Sequence, residues 1–323
     1  MNVLITSAAA KVLLVRAFQR AVGGRGGRVV ACDIAADSAA LFAADAGVLV
    51  PRLTDPGFRA AFLGLCAAHA IDLVVPTRDG ELAALAALAP ELAARGTRVL
   101  VAAPETLRLC ADKPAFAGFC REQGFPVAPV LSPDEEPAFP VFVRPASGAG
   151  AVGAHRIDDR AAWEALGERR RDHIIQPVIT APEYTIDTLM DFEGGPVQAV
   201  ARRRLAIRAG EATKSQVENL PALSEMALAL CARLGCVGHN IVQAFYRPEE
   251  GPLFIEVNPR FGGASNLSLV AGLASPERLF QLLAGEAEAA RQPRPIAFGL
   301  MMLRHSEDIF VEPAALAALE NRA

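Results

Sequence analysis

The densest chemical signal in the sequence is Ile255-Glu256-Val257-Asn258-Pro259-Arg260. In an extended chain the side chains alternate, so Glu256, Asn258 and Arg260 share one face while Val257 turns away. That face offers a carboxylate, an amide oxygen and a guanidinium. Hard oxygens suit Mg²⁺, and the guanidinium fork suits phosphate or carboxylate. Pro259 would end the strand pairing and fix Arg260. A second strand, about 241–247, comes before it. If 248–251 is the connecting loop, Arg247 opposes Pro252 and, counting back, Gln243 opposes Glu256. Directly opposed residues point to one face about 5 Å apart. Gln243, Glu256 and Asn258 then form a candidate oxygen cluster for a cation that also bridges phosphates. An exposed polar sheet face is the plainer alternative.

A second segment is Ser147-Gly148-Ala149-Gly150-Ala151-Val152-Gly153, which follows an apolar strand ending at Arg144. Glycines let backbone N–H groups approach phosphate oxygens closely, and Arg144 adds a cation. The loop lacks the Gly-Lys-Ser/Thr of a P-loop, and an ordinary turn fits it equally. The first turn of the chain, Thr6-Ser7-Ala8-Ala9-Ala10, has no glycine where a dinucleotide fold would have three, although Asp33 stands where a ribose-binding acid would. The five histidines are not spaced as metal ligands. The six cysteines contain no Cys-x-x-Cys pair and read as small buried hydrophobes.

The elements that must hold these groups follow from apolar runs. Over the first hundred residues, short continuous strands (3–6, 29–32, 71–75, 98–102) alternate with helical stretches (12–21, 58–68, 81–95), which predicts a parallel sheet covered on both faces. Ligands of such sheets sit beyond the strand C-termini, here 6–10 and 76–81. From Pro104 the pattern changes to short helices (104–109, 114–122), strands at 127–131 and 141–144, a helix at 160–170 and a strand at 174–179. Paired strands at 184–191 and 196–201, a helix at 224–234 and the hairpin described above complete the pattern. The expected units are 1–103, 104–172 and 173–323, with 291–323 unassigned.

Composition sets the outer limits. Hydrophobic residues at 52% with 21% charged describe a globular chain. The net charge of −4 argues against binding a phosphate backbone, so no nucleic-acid partner is expected. No stretch is long and apolar enough for a membrane span, and no basic start marks a signal peptide, so a reduced cytoplasmic setting is expected. Only three of the 32 basic residues are lysines: Lys11, Lys113 and Lys214.

Taken in order, the motifs resemble the ATP-grasp superfamily, above all stand-alone relatives of the carbamoyl-phosphate synthase large subunit and the neighbouring amino-acid ligases. The resemblance covers about residues 2–285. It runs through Pro76–Leu82, Asp112-Lys113, Phe139–Pro145 with its small-residue loop, Ile175–Ile179, Glu183–Asp187, Asn240–Phe245 and Glu256–Gly263. It implies an α/β chain: an N-terminal Rossmann-like parallel-sheet (pre-ATP-grasp) domain, then a two-lobed α+β ATP-grasp fold. It also implies roles. Lys113 would reach an ATP phosphate, and Arg144, where the family usually has a second lysine, would lie near the adenine and α-phosphate. The loop with Ser147, Gly148, Gly150 and Gly153 would close over the β- and γ-phosphates. Gln176, Pro177, Val178 and Ile179 would read the adenine edge, and Glu183 would accept the ribose hydroxyls. Gln243, Glu256 and Asn258 would hold Mg²⁺, with Mn²⁺ as the alternative ion. Arg260 would stabilise the transferred phosphoryl group. Arg204 and Lys214 would bind phosphate or substrate carboxylate, whereas a solvated charge run is an open reading for Arg202 and Arg203. Gly262–Asn266 would line an acceptor pocket.

The implied activity is an ATP-dependent ligase. It joins a small carboxylic acid, such as an amino acid, to an amine through an acyl phosphate. A bicarbonate-activating, carbamoyl-phosphate-type enzyme and a non-catalytic nucleotide sensor are the alternatives. A homodimer and the part played by Lys11 stay open.

Overall fold

A computed structural model describes residues 1–145 and 153–320. The chain begins with β1 (Asn2–Ile5), α1 (Val12–Gly23), β2 (Val29–Asp33), α2 (Ala39–Ala43), β3 (Ala46–Leu49), α3 (Phe58–Ala68), β4 (Ile71–Val75), α4 (Asp79–Ala94) and β5 (Arg98–Val99). These strands lie parallel in the order β3-β2-β1-β4-β5. Every residue of β2 is buried, as is nearly all of β1 and β4. Helices cover both faces of this sheet, which is why its inner strands read as unbroken apolar runs rather than alternating ones. The edge strand β3 was not expected: it is only half-buried and contains Gly47, so it lacks that signature.

Next come α5 (Pro104–Ala111) and α6 (Lys113–Glu122). Asp112 caps α6, its side chain accepting from the Ala115 amide at 2.9 Å. The strand expected at 127–131 is reduced to single bridges, Val127 to Phe254 and Leu131 to Ile175. Pro126 and Pro129 remove ladder donors from that stretch. A small antiparallel sheet follows, ordered β7-β6-β8, from β6 (Val141–Pro145), β7 (His155–Ile157) and β8 (His173–Pro177). Its core is Val141, Val143, Ile157 and Ile175, closed by Trp163 of α7 (Arg160–Leu166).

The third part contains β9 (Glu183–Met190), β10 (Pro196–Arg208), β11 (Glu211–Val217), α8 (Pro221–Leu234), β12 (Gly238–Arg247) and β13 (Gly251–Asn258). It continues through α9 (Asn266–Ser268), α10 (Ser275–Leu283), α11 (Ala287–Arg291), β14 (Met301–Leu303) and α12 (Pro313–Glu320). The sheet is antiparallel in the order β13-β12-β9-β10-β11-β14. The charged stretch 202–208 is therefore the second half of a long strand. Part of the unassigned C-terminal segment, β14, pairs with the edge of β11.

One face of this sheet rests on α8 and α6, through Tyr184, Ile186, Val242, Leu230 and Phe116. The other face meets the N-terminal sheet in a continuous core that runs from Val3, Ile5 and Phe18 to Leu189, Val200, Val217 and Phe280. Phe18 of α1 meets Phe261 and Phe280 edge-on, at 5.6 and 6.0 Å. Aromatic pairs in this geometry add to the burial energy, here between α1, the segment after β13 and α10. Among the described residues no helix is long and apolar enough to cross a membrane. Five of the six cysteines are buried, and all are free thiols.

Candidate functional site

The hairpin of β12 and β13 brings Gln243 opposite Glu256. It reaches that pairing by a route the sequence count missed. Arg247 opposes Gly251 rather than Pro252, one residue earlier than expected, and a bulge between Gln243 and Ala244 restores the register. Gln243 Nε2 donates to Glu256 Oε1 at 2.9 Å, and Asn258 Nδ2 donates to the same oxygen at 3.1 Å. The other oxygen, Oε2, faces two cations from separate elements: Lys113 Nζ at 4.0 Å, from the start of α6, and Arg144 Nη1 at 3.8 Å, from β6. Burial lowers the pKa of Arg144, against the pull of Glu256 and Glu183, and its Nε has no hydrogen-bond partner among the described residues.

Arg204 braces the other side of the cluster. Its guanidinium donates to Glu183 Oε1 at 2.6 Å, to Gln243 Oε1 at 2.8 Å and to the Gly210 carbonyl at 2.6 Å. Burial raises the pKa of Glu183, and Arg204 opposes that rise. Residues expected from five separate stretches of sequence thus meet: Lys113, Arg144, Glu183, Arg204 and the Gln243–Glu256–Asn258 set. Gln176 and Pro177 lie on β8, opposite Phe142 and Val141 of β6. Val178 donates its amide to the Pro140 carbonyl at 3.4 Å, and Ile179 follows in the connection to β9. Gly153 has φ +76°, which disfavours any side chain there. Ser147, Gly148 and Gly150 fall outside the described residues.

Two expected residues stand apart from the cluster. Lys214 is exposed on β11, next to buried Ser215. Lys214 opposes Ala206, between two register shifts in the β10–β11 pairing, whereas Ser215 is the residue that opposes Arg204. Arg260 does not continue the face of Glu256 and Asn258, since β13 ends at Asn258. Its guanidinium forms a two-pronged pair with Asp79 at the start of α4, one contact at 2.7 Å. Nearby, Lys11 donates to the Ser7 carbonyl at 2.9 Å, and burial lowers its pKa against the pull of Glu81. The N-terminal sheet therefore supplies a counter-charge to the residue that follows the cluster.

A larger network went unread in the sequence. Asp187, fully buried in β9, accepts from Arg202 Nε at 2.5 Å and from the hydroxyls of Ser265 and Ser268 at 2.6 Å each. His239 Nε2 lies 3.1 Å from the same carboxylate, and its ring stacks on Phe261 at 4.1 Å. Arg202 is 2% exposed, so the solvated reading fails for it and holds for exposed Arg203. The period of the strand, which puts Arg202 and Arg204 inward and Arg203 outward, was the available signal. This network fastens the segment 262–268 to the sheet. A side chain at Gly262 would meet Ile241 at 2.1 Å, and one at Gly263 would meet the Glu211 carboxylate at 2.6 Å. The two glycines thus allow the candidate acceptor segment to lie against β12 and the β10–β11 turn.

Glu256, Gln243 and Asn258 offer one carboxylate and two amide groups. No group of three or more His, Cys, Asp or Glu suited to a metal occurs among the described residues. Mg²⁺ takes one or two carboxylates and completes its shell from phosphates and water. The set therefore fits an ion that arrives with phosphate better than one bound by protein alone.

Residues 3–100 match the model of the PylC-like N-terminal domain. Residues 169–304 match the model described as ATP-grasp in the biosynthetic pathway with Ter operon. Among solved structures, Rhizobium etli pyruvate carboxylase is 18% identical with a TM-score of 0.68; the match covers 88% of this chain and 28% of that one. The biotin carboxylase domain of Hydrogenobacter thermophilus 2-oxoglutarate carboxylase, in complex with MgADP, ADP and bicarbonate, is 15% identical with a TM-score of 0.70. That match covers 93% of this chain and 73% of that one. L-amino acid ligase from Bacillus licheniformis is 18% identical with a TM-score of 0.68, covering 90% and 77%. The chain thus carries a match to a PylC-like N-terminal domain over its parallel sheet and a match to an ATP-grasp model over residues 169–304, within a fold shared with these solved structures.

Proposed function

We propose that this protein is an ATP-dependent carboxylate–amine ligase that forms an amide or peptide bond on an amino acid or similar small acid. The observation that carries the reading is Glu256: one oxygen is held by two amides, while the other lies between Lys113 and Arg144, at 4.0 and 3.8 Å, with no hydrogen bond from the described residues. A half-buried carboxylate that faces cations from two separate elements is suited to receive a metal-bound polyphosphate.

A carboxylate is a poor electrophile because oxide is a hopeless leaving group. In the proposed reaction the acid's oxygen attacks the γ-phosphorus of ATP, ADP leaves, and an acyl phosphate forms. The amine then attacks the carbonyl carbon and phosphate departs, taking the bonding pair; the amine's proton passes to solvent or phosphate. Mg²⁺, when bound, would draw charge from the phosphate oxygens. The protein's own part is to position reactants and neutralise charge. Glu256, Gln243 and Asn258 would hold the ion. Lys113 and Arg144 would meet phosphates, Gln176–Ile179 the adenine, and Glu183 the ribose. Arg204 would keep Glu183 and Gln243 oriented. Arg260, held by Asp79, would face the phosphoryl group as it transfers.

Bicarbonate as the acid is the second reading, favoured by the likeness to a bicarbonate-bound biotin carboxylase domain. ADP release with pooled amino acids, with and without bicarbonate, separates the two. Release driven by an acid–amine pair, with the coupled product seen by mass spectrometry, is the expected result. Release that needs only bicarbonate would favour the second reading. Nucleotide binding with no turnover on any pair would contradict both.

A further inference from the structure

Beyond the C-terminal ends of β1, β2 and β4 lies a cavity of ≈ 230 Å³ that the ligase reading leaves unused. Thr6, Asp33, Arg52, Phe58, Arg78 and Leu85 are among its walls. The crevice outside the carboxyl ends of parallel strands, where the strand order reverses, is where such sheets hold ligands. The first turn has no glycine to admit a pyrophosphate. The volume also falls below the range of about 300–1,000 Å³ usual for drug-sized ligands. The occupant is therefore small.

The charge balance of the cavity selects its sign. Both acids in the wall are already engaged. Asp33 accepts from the amides of Ala9 and Ile34, each at 2.7 Å. Glu81 accepts from the amides of Thr77 and Arg78 at 2.8 and 3.1 Å, and from the Ser7 hydroxyl at 2.6 Å. The guanidiniums of Arg52 and Arg78 are exposed and form no ion pair or hydrogen bond among the described residues. An anion would satisfy them, whereas a cation would meet two uncompensated positive charges. The interior is apolar and ordered: Phe58 and Phe62 stack at 5.4 Å, and Leu85 is 1% exposed. Thr6 also lines the cavity, and its buried hydroxyl has no partner among the described residues.

We propose that this cavity is a second small-molecule site, for a small organic anion with an apolar body about the size of one ring. Its carboxylate or phosphate head meets Arg52 and Arg78, and its body rests on Phe58 and Leu85. The full chain is titrated by calorimetry with benzoate and with phenyl phosphate, each with and without saturating MgADP. Benzyl alcohol and benzylamine serve as uncharged and cationic controls. Saturable binding of at least one anion is expected, about tenfold or more tighter than either control, and unaffected by MgADP. Which anion binds better identifies the head group. Removing one charge-assisted contact costs about a factor of ten or more, so Arg52→Gln weakens the anion by at least that factor; Leu85→Trp, which fills the apolar end, abolishes binding. Absence of saturable binding by both anions, equal binding of benzyl alcohol, competition by MgADP, or an unchanged affinity in Arg52→Gln overturns the proposal. Arg52 is exposed, so that variant tests the site even where Leu85→Trp fails to fold.

Discussion

Asp187 and Glu256 lie on the same face of the same sheet. Asp187 opposes Ile241, Ile241 opposes Asn258, and Glu256 is two residues before Asn258. Their surroundings nevertheless differ in kind. Asp187 is fully buried, and both of its oxygens are shared among Arg202, His239, Ser265 and Ser268. Glu256 is 22% exposed and has one oxygen that faces cations at 3.8 and 4.0 Å, with no hydrogen bond from the described residues. A buried charge with complete partners is a fastening, because removing any partner leaves another charge uncompensated. A half-open charge with incomplete partners costs little to disturb and is available to a ligand.

The largest expected effect separates the two carboxylates by stability. Asp187→Ala leaves Arg202 buried without a counter-ion and destabilises the fold by about 3–5 kcal/mol, read by urea or thermal unfolding. An unfolding midpoint near that of the parent would break the contrast. The same carboxylate gives a pH signature. Burial alone would raise its pKa, but Arg202 and His239 overcome that and hold it well below the usual carboxylate range. A depressed folded-state pKa gives stability that is present in full above the unfolded value of about 3.9 and is lost as pH falls below it. Asp187→Asn, though less stable at neutral pH, should therefore show a flatter loss on acidification than the parent.

Glu256→Gln comes next, with the opposite outcome. Turnover falls by about a hundredfold or more, since a charge that acts in the transition state has gone. Stability moves by no more than about 1 kcal/mol, as expected for a partly exposed pair. Asp79→Asn should have an intermediate effect, freeing Arg260 and lowering turnover by about tenfold with little change in unfolding. The smallest effect is expected of Lys214→Ala. An exposed lysine in the irregular stretch of β11 should leave turnover within about twofold, in keeping with surface substitutions. A large loss there would show that the β10–β11 hairpin brings Lys214 to the substrate.

Much of the fold was legible because burial on two faces writes continuous apolar runs into β1, β2 and β4. β3, half-buried at an edge, wrote none. The Gln243–Glu256 pairing was legible only through two offsets that cancel: a turn one residue tighter than counted, and a bulge that counting cannot detect. Arg260 was expected beside Glu256 from strand alternation alone, but its counter-ion Asp79 lies 181 residues away. The Asp187 network was illegible for the same reason, with partners 15 to 81 residues distant. Local pattern reports which face a side chain takes; it does not report what arrives opposite from elsewhere in the chain.

The most direct measurement is calorimetric binding of ADP with and without Mg²⁺ to the parent chain and to Glu256→Gln, with unfolding followed in parallel. The parent should bind more tightly when Mg²⁺ is present. The variant should lose that Mg²⁺ dependence while unfolding at nearly the same midpoint. Equal Mg²⁺-dependent affinity in both proteins would contradict the assignment of Glu256 as the open carboxylate of this site.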